Sequence, residues 1–156
     1  MVDAQSGQEK TITGKLPALA GANVIYGLGM LEMGITFDLA QLVLDHEFAG
    51  MILHSLDGIV VNDETLSVDV IREMGIGKDY LAHASTYKHM KSQSQVQLID
   101  RRMREDWEAA GSTDIYKRAH GRVIEILETY EPAPLPANVL NTIRSIVEDT
   151  EKELVR

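Results

Sequence analysis

Three stretches of this 156-residue chain carry side chains able to do chemistry. The densest is 81–91, where His83, Thr86, Tyr87 and His89 offer hydrogen-bond donors and acceptors, an aromatic face and two imidazoles, the usual acid/base group near neutral pH. A surface loop whose polar residues cap a helix would contain the same residue types, and spacing alone defines no Ser/His/Asp triad, which is a matter of geometry. The second stretch is Tyr26-Gly27-Leu28-Gly29-Met30-Leu31-Glu32. Glycines after an apolar run suggest a dinucleotide-binding turn, but Glu32 stands where the third glycine belongs and would repel a pyrophosphate. Glycines that turn the chain at a strand end are the better reading, and they leave Tyr26, Met30 and Glu32 where α/β folds place ligands. The third stretch, Asp45-His46-Glu47, interrupts an apolar helix. Consecutive helical residues point about 100° apart and cannot converge on one metal, so a polar partner or a helix edge is expected for each. His54 follows His46 by eight residues, and such a pair still needs a ligand from elsewhere. A hydrolase using His83, His89 and a carboxylate on a metal is the remaining metal reading, and no metal site is expected.

The elements that must position these residues follow from periodicity. A helix over 4–20 is interrupted by Gly14 and Pro17, with a kink or break expected at the proline. Residues 22–29 read as a strand buried on both faces, as in a parallel sheet. Helices follow over 37–56 and 64–74, with a short strand near 80–83. Val96, Ile99, Met103 and Trp107 form a helical seam stopped by Gly111, on which Arg101, Arg102 and Arg104 alternate with acids as a salt-bridged solvated face. Ser112, Thr113 and Asp114 are cap candidates for a helix carrying Ala119 and Val123. Three alternating prolines make 131–136 a stiff connector before a last helix.

Composition narrows the function classes. Fifteen basic against 24 acidic residues give a net charge of −9, which disfavours nucleic acid and anionic lipid and favours a neutral, cationic or protein ligand. The absence of cysteine excludes disulfides, thiolate nucleophiles and cysteine-held clusters. No apolar run nears the ~20 residues of a membrane span, and the start of the chain lacks a signal-peptide pattern, so a cytoplasmic location is expected. A closed β/α barrel needs roughly 250 residues, so any barrel signature here belongs to part of one. One buried-type strand without a pairing partner points the same way, to a chain incomplete on its N-terminal side.

Several segments in order resemble the C-terminal portion of the trimethylamine methyltransferase family, the corrinoid-dependent methylamine enzymes that include glycine-betaine methyltransferases. They are Leu19-Ala20-Gly21-Ala22-Asn23-Val24-Ile25-Tyr26-Gly27, Gly29-Met30-Leu31-Glu32, Leu44-Asp45-His46-Glu47 and Glu64-Thr65-Leu66-Ser67-Val68-Asp69-Val70-Ile71. Thr86-Tyr87-Lys88-His89, Ile99-Asp100-Arg101, Trp107 with Gly111, and Pro132-x-Pro134-Leu135 continue the series. The resemblance implies an α/β chain: the closing units of a TIM-type β/α barrel, with one or two strands, over 1–92, and a mostly helical C-terminal extension over 93–156. It implies methyl transfer from trimethylamine or a related methylated amine to a cognate corrinoid protein that carries the cobalt, no cofactor held by this chain directly, and a homo-oligomer. It places a catalytic pyrrolysine upstream of Met1 and leaves this chain inactive alone. Tyr26, Glu32, Thr86 and His89, with His83 and Tyr87, become candidate pocket residues, Tyr26 or Tyr87 facing the cationic substrate. Relatives often carry a second histidine where this chain has Ser85. The alternatives are a non-catalytic helical interaction module and a glycine-betaine-type methyltransferase lacking pyrrolysine.

Overall fold

The computed structural model describes residues 2–154. The chain divides into two units, Met1–Ile124 and Glu125–Arg156. The first unit opens on helix α1 (Ala4–Leu19), capped by a reciprocal box in which the Asp3 carboxylate accepts from Ser6 N and the Ser6 hydroxyl accepts from Asp3 N. Pro17 does not break this helix. It lies two residues from the end, so its missing N–H costs a single bond in the last turn.

The strand expected over 22–29 does not form. Val24 is 72% and Tyr26 83% exposed, and among the described residues no strand lies alongside to complete a ladder. The sheet is instead a small antiparallel hairpin, β1 (Met30–Leu31) with β2 (Thr36–Phe37), Met30 opposite Phe37 and Leu31 opposite Thr36. Glu32, Met33 and Gly34 turn it with positive φ. The described structure is thus mostly helical with one two-stranded sheet.

Helix α2 (Leu39–Leu56) is the organising element. Asp38 caps it by accepting from Gln41 N at 2.7 Å, and it buries Ala40, Gln41, Leu44, Asp45 and Ile52. Helix α1 packs along it. Ala40 and Leu44 join Leu98, Ala119 and Val123 in the core, with Val43, Phe48 and Ile115 against its edge. The single helix expected over 64–74 is two, α3 (Asp63–Leu66) and α4 (Val68–Met74), because Ser67 between them takes left-handed backbone at φ 53. No strand forms over 80–83. That stretch is a turn leading into α5 (Ala84–His89).

The seam from Val96 to Trp107 is helical only over α6 (Arg104–Ala109), so Arg101 and Arg102 lie outside it. The reason is a competing acceptor. The Glu47 carboxylate accepts from three successive backbone donors, Gln97 N and Leu98 N at 2.8 Å and Ile99 N at 2.9 Å, which a helix would have aimed at its own carbonyls. Helix α7 (Ile115–Thr129) starts as the sequence indicates, with Asp114 accepting from Lys117 N at 2.7 Å. In the second unit the proline stretch 131–136 is non-helical and α8 (Ala137–Leu154) follows. Among the described residues no helix is long and apolar enough to cross a membrane.

Glu47→Ala frees the three donors of 97–99 together. Charge-assisted bonds of this kind contribute about 1.5–3 kcal/mol each at most, and water can reach part of this site, so a loss of about 3 kcal/mol is expected in urea unfolding. Glu47→Gln keeps one acceptor oxygen and should lose less. Equal midpoints for Glu47→Ala and the parent would refute the assignment.

Candidate functional site

A cleft of about 280 Å³ opens between α1, α2 and segment 24–28. Pro17, Val24, Ile25, Phe48 and Ile52 make most of its wall apolar, and Lys10 and Asp45 form its polar end. Asp45 is a buried acceptor, its side chain 6% exposed. Lys10 Nζ donates to Asp45 Oδ2 at 2.6 Å, Gly29 N donates to the same oxygen at 2.8 Å, and Gln41 Nε2 donates to Oδ1 at 2.6 Å. Lys10 Nζ also reaches Gly27 O at 3.3 Å. The ammonium and the carboxylate thus hold the 27–29 turn from both ends. Gly27 and Gly29 have φ of 89° and 78°, and a Cβ at Gly29 would stand 2.7 Å from the Phe37 ring. These glycines turn the chain and admit close packing, although the strand expected to precede them does not form.

Of the residues singled out from sequence, Tyr26 lines this cleft with its ring largely exposed. Glu32 sits in the hairpin turn, where it accepts from the Thr36 hydroxyl at 2.7 Å. The other candidates gather on and beside α5. His83 Nδ1 accepts from Ser85 N at 3.1 Å and so caps that helix, with Nε2 3.6 Å from Glu73. The Thr86 hydroxyl donates to Tyr80 O at 2.6 Å. Lys88 Nζ and His89 Nε2 converge on Glu64 Oε1 at 2.5 and 3.0 Å, tying α5 to α3, while the Tyr87 ring is exposed. His83 and Thr86 therefore organise their own turn, and Lys88 and His89 join two helices. Among the described residues no group of three or more His, Asp or Glu could hold a metal ion. The salt-bridged helix face expected around Trp107 is only partly formed: Arg104 pairs with Glu108 on α6, while Arg102 pairs outside that helix with Asp100, whose carboxyl is held at about 2 chiefly by the Arg102 side-chain hydrogen bonds. Trp107 donates to Thr113 O at 3.0 Å.

Sequence reasoning missed Lys10. It lies 35 residues from Asp45, so no local spacing announces the pair. The interruption of an apolar helix by Asp45 was the available signal.

A family model described as trimethylamine methyltransferase matches residues 1–155. The chain belongs to the trimethylamine methyltransferase family. It is 55% identical over 151 residues to a trimethylamine methyltransferase of Desulfitobacterium hafniense, covering 97% of this chain and 30% of that protein. A trimethylamine methyltransferase of Methanosarcina mazei is 45% identical over 150 residues, covering 96% and 30%. The glycine betaine methyltransferase of Desulfitobacterium hafniense is 29% identical over 154 residues, covering 98% and 32%. The chain spans about 30% of the length of the relatives it matches.

The α3–α5 tie has a pH signature. The Lys88 hydrogen bond, then its charge, lowers the Glu64 pKa below the ordinary 4.5, with His89 adding to the effect. A carboxyl lowered in the folded state contributes stability above its unfolded pKa and loses it as pH falls through the lowered one. Lys88→Ala should therefore move the Glu64 midpoint up toward 4.5, read by carboxyl carbon NMR. A midpoint that stays put would mean the ion pair does not form.

Proposed function

We propose that the chain is the C-terminal part of a methyltransferase that moves a methyl group from trimethylamine to the cobalt of a separate corrinoid protein. The observation that carries this reading is the contrast between two proteins of one species. The chain is 55% identical to the trimethylamine methyltransferase of Desulfitobacterium hafniense and 29% identical to its glycine betaine methyltransferase. Residues 1–92 would then contain the closing units of a β/α barrel and 93–156 its helical extension. Segment 22–29 supports that placement in physical terms: it is apolar and rich in β-formers, its Val24 and Tyr26 are exposed, and no strand neighbours it among the described residues, as for a barrel strand parted from its neighbours.

The corrinoid belongs to the partner. A cleft of about 280 Å³ is of a size for a small amine, in keeping with a corrinoid carried by the partner. Their work is binding and orientation. The Tyr26 ring faces the methylated ammonium, whose charge is drawn to the aromatic face. Glu32 sets a negative charge at the far end of the same loop, and Lys10 with Asp45 fixes the turn between them. Thr86, Tyr87, His83 and His89 flank the amine pocket only in the assembled barrel. The pyrrolysine that goes with this reading lies outside these residues.

The test is a chimera in which this chain replaces the matching segment of the 55%-identical relative, assayed with its corrinoid protein. Methyl transfer from trimethylamine and none from glycine betaine is expected. A folded chimera that uses betaine, or neither amine, would overturn the reading. In the active chimera, Tyr26→Ala should raise KM for trimethylamine about tenfold, the size of a cation–π contact of about 1–1.5 kcal/mol, while Tyr26→Phe leaves it near the parent value.

A further inference from the structure

Segment 90–102 is held in an open curl by bonds that bring three guanidiniums to one depression. Because Glu47 takes the amides of Gln97, Leu98 and Ile99, the Leu98 carbonyl has no helix to join, and Arg118 Nε donates to it at 2.8 Å. The same guanidinium donates through Nη1 to Thr113 O. Arg101 folds back on the curl, its Nη1 donating to Ser94 O and its Nη2 to Ser94 Oγ, both at 3.1 Å. Arg102 grips the Asp100 carboxylate through Nε at 2.9 Å and Nη2 at 2.6 Å. These side chains line a depression of about 520 Å³.

The charges there do not balance. Among the described residues Asp100 is the one acid lining the depression, against Arg101, Arg102 and Arg118, so two positive charges are left over in a chain whose net charge is −9. Arg101 and Arg118 are anchored by neutral oxygens, which fix their forks in place without neutralising them. Two further acids bear on this region from outside the lining. Glu47 spends both carboxylate oxygens on the amides of 97–99, and Asp106 acts on Arg102 by its charge. A guanidinium has five donors, and each of the three keeps some to offer: Arg101 its Nε, Arg102 its Nη1 and Arg118 its Nη2. Arg118 is half-buried, so solvent screens its charge less than that of an exposed arginine. Fixed forks with spare donors fit an oxyanion, and a surplus of two charges fits a dianion better than a single carboxylate. We propose that this depression is a phosphate-binding site, with Arg101, Arg102 and Arg118 as the donors to the anion. It shares no lining residue with the cleft between α1 and α2 and stands apart from the methyl-transfer reading.

Titration of the full chain with inorganic phosphate, followed by amide NMR at an ionic strength held constant with chloride, should give saturable shifts confined to 93–102 and Arg118. Arg101→Gln, at an exposed residue, should weaken binding about tenfold, and Arg101→Lys, which keeps the charge without the fork, should recover part of the loss. Arg104→Gln is the control for charge alone. That arginine lies outside the depression and is paired with Glu108, so its removal should leave the affinity unchanged. Unshifted amides of α1 and α2 in each variant show that the first unit stays folded. Glycerol phosphate separates the two sources of the group: tighter binding than inorganic phosphate assigns the site to an ester, whose body would meet the amides of Gln93 and Gln97, and weaker binding assigns it to the free ion. Shifts that rise without saturating and are matched by chloride, or equal losses in Arg101→Gln and Arg104→Gln, would overturn the proposal.

Discussion

Backbone donors in irregular segments have to be satisfied by something, and in the first unit α2 supplies it. This helix carries two carboxylates pointing different ways. Asp45 takes the amide of Gly29 together with Lys10 and Gln41, and Glu47 takes the amides of Gln97, Leu98 and Ile99. Each substitutes for a sheet or helix partner that those residues lack. Because both carboxylates sit on one rigid element, the turn at 27–29 and the bend at 97–99 are fixed relative to each other through α2. Leu98, which the second carboxylate positions, is a member of the core.

The sequence announces elements whose signals are local. Asp38 and Asp114 cap the helices that follow them, the prolines at 132, 134 and 136 interrupt helix, and the apolar pattern of 37–56 is one helix. It misleads where an alternative partner lies far along the chain. Val96, Ile99 and Met103 have helical spacing, yet Glu47, about 50 residues away, captures the amides such a helix would use. Ser67 splits a predicted helix through a left-handed residue that periodicity does not register, since Leu66 and Val70 keep their spacing on either side.

The site shows the same division. The 81–91 stretch reads equally as a pocket wall and as helix-capping polarity, and the distances place His83 and Thr86 in local bonds. What sequence could not reach is the Lys10–Asp45 pair, because a buried ion pair needs two elements brought together before either residue has a meaning. The interrupted apolar helix marked one half of it. The other half, a lysine on a helix with no other distinguishing feature, resembles any solvated lysine until α1 packs on α2.

The exposed apolar surface is not all of one kind. Seven hydrophobic residues are buried among those described, few for a chain of this length, and many large side chains face outward. At 24–26 the unmet need is directional: an apolar run outside helix and sheet has amides and carbonyls that a flanking strand could pair in register, whereas the turn at 27–29 already has Lys10 and Asp45 as partners. At α8 the backbone is already satisfied within the helix, and what is left over is a seam of side chains that any complementary helix can fill. A strand-type edge accepts a narrow class of partner, another strand at the right spacing, whereas a helix seam chooses its partner by the charges beside it.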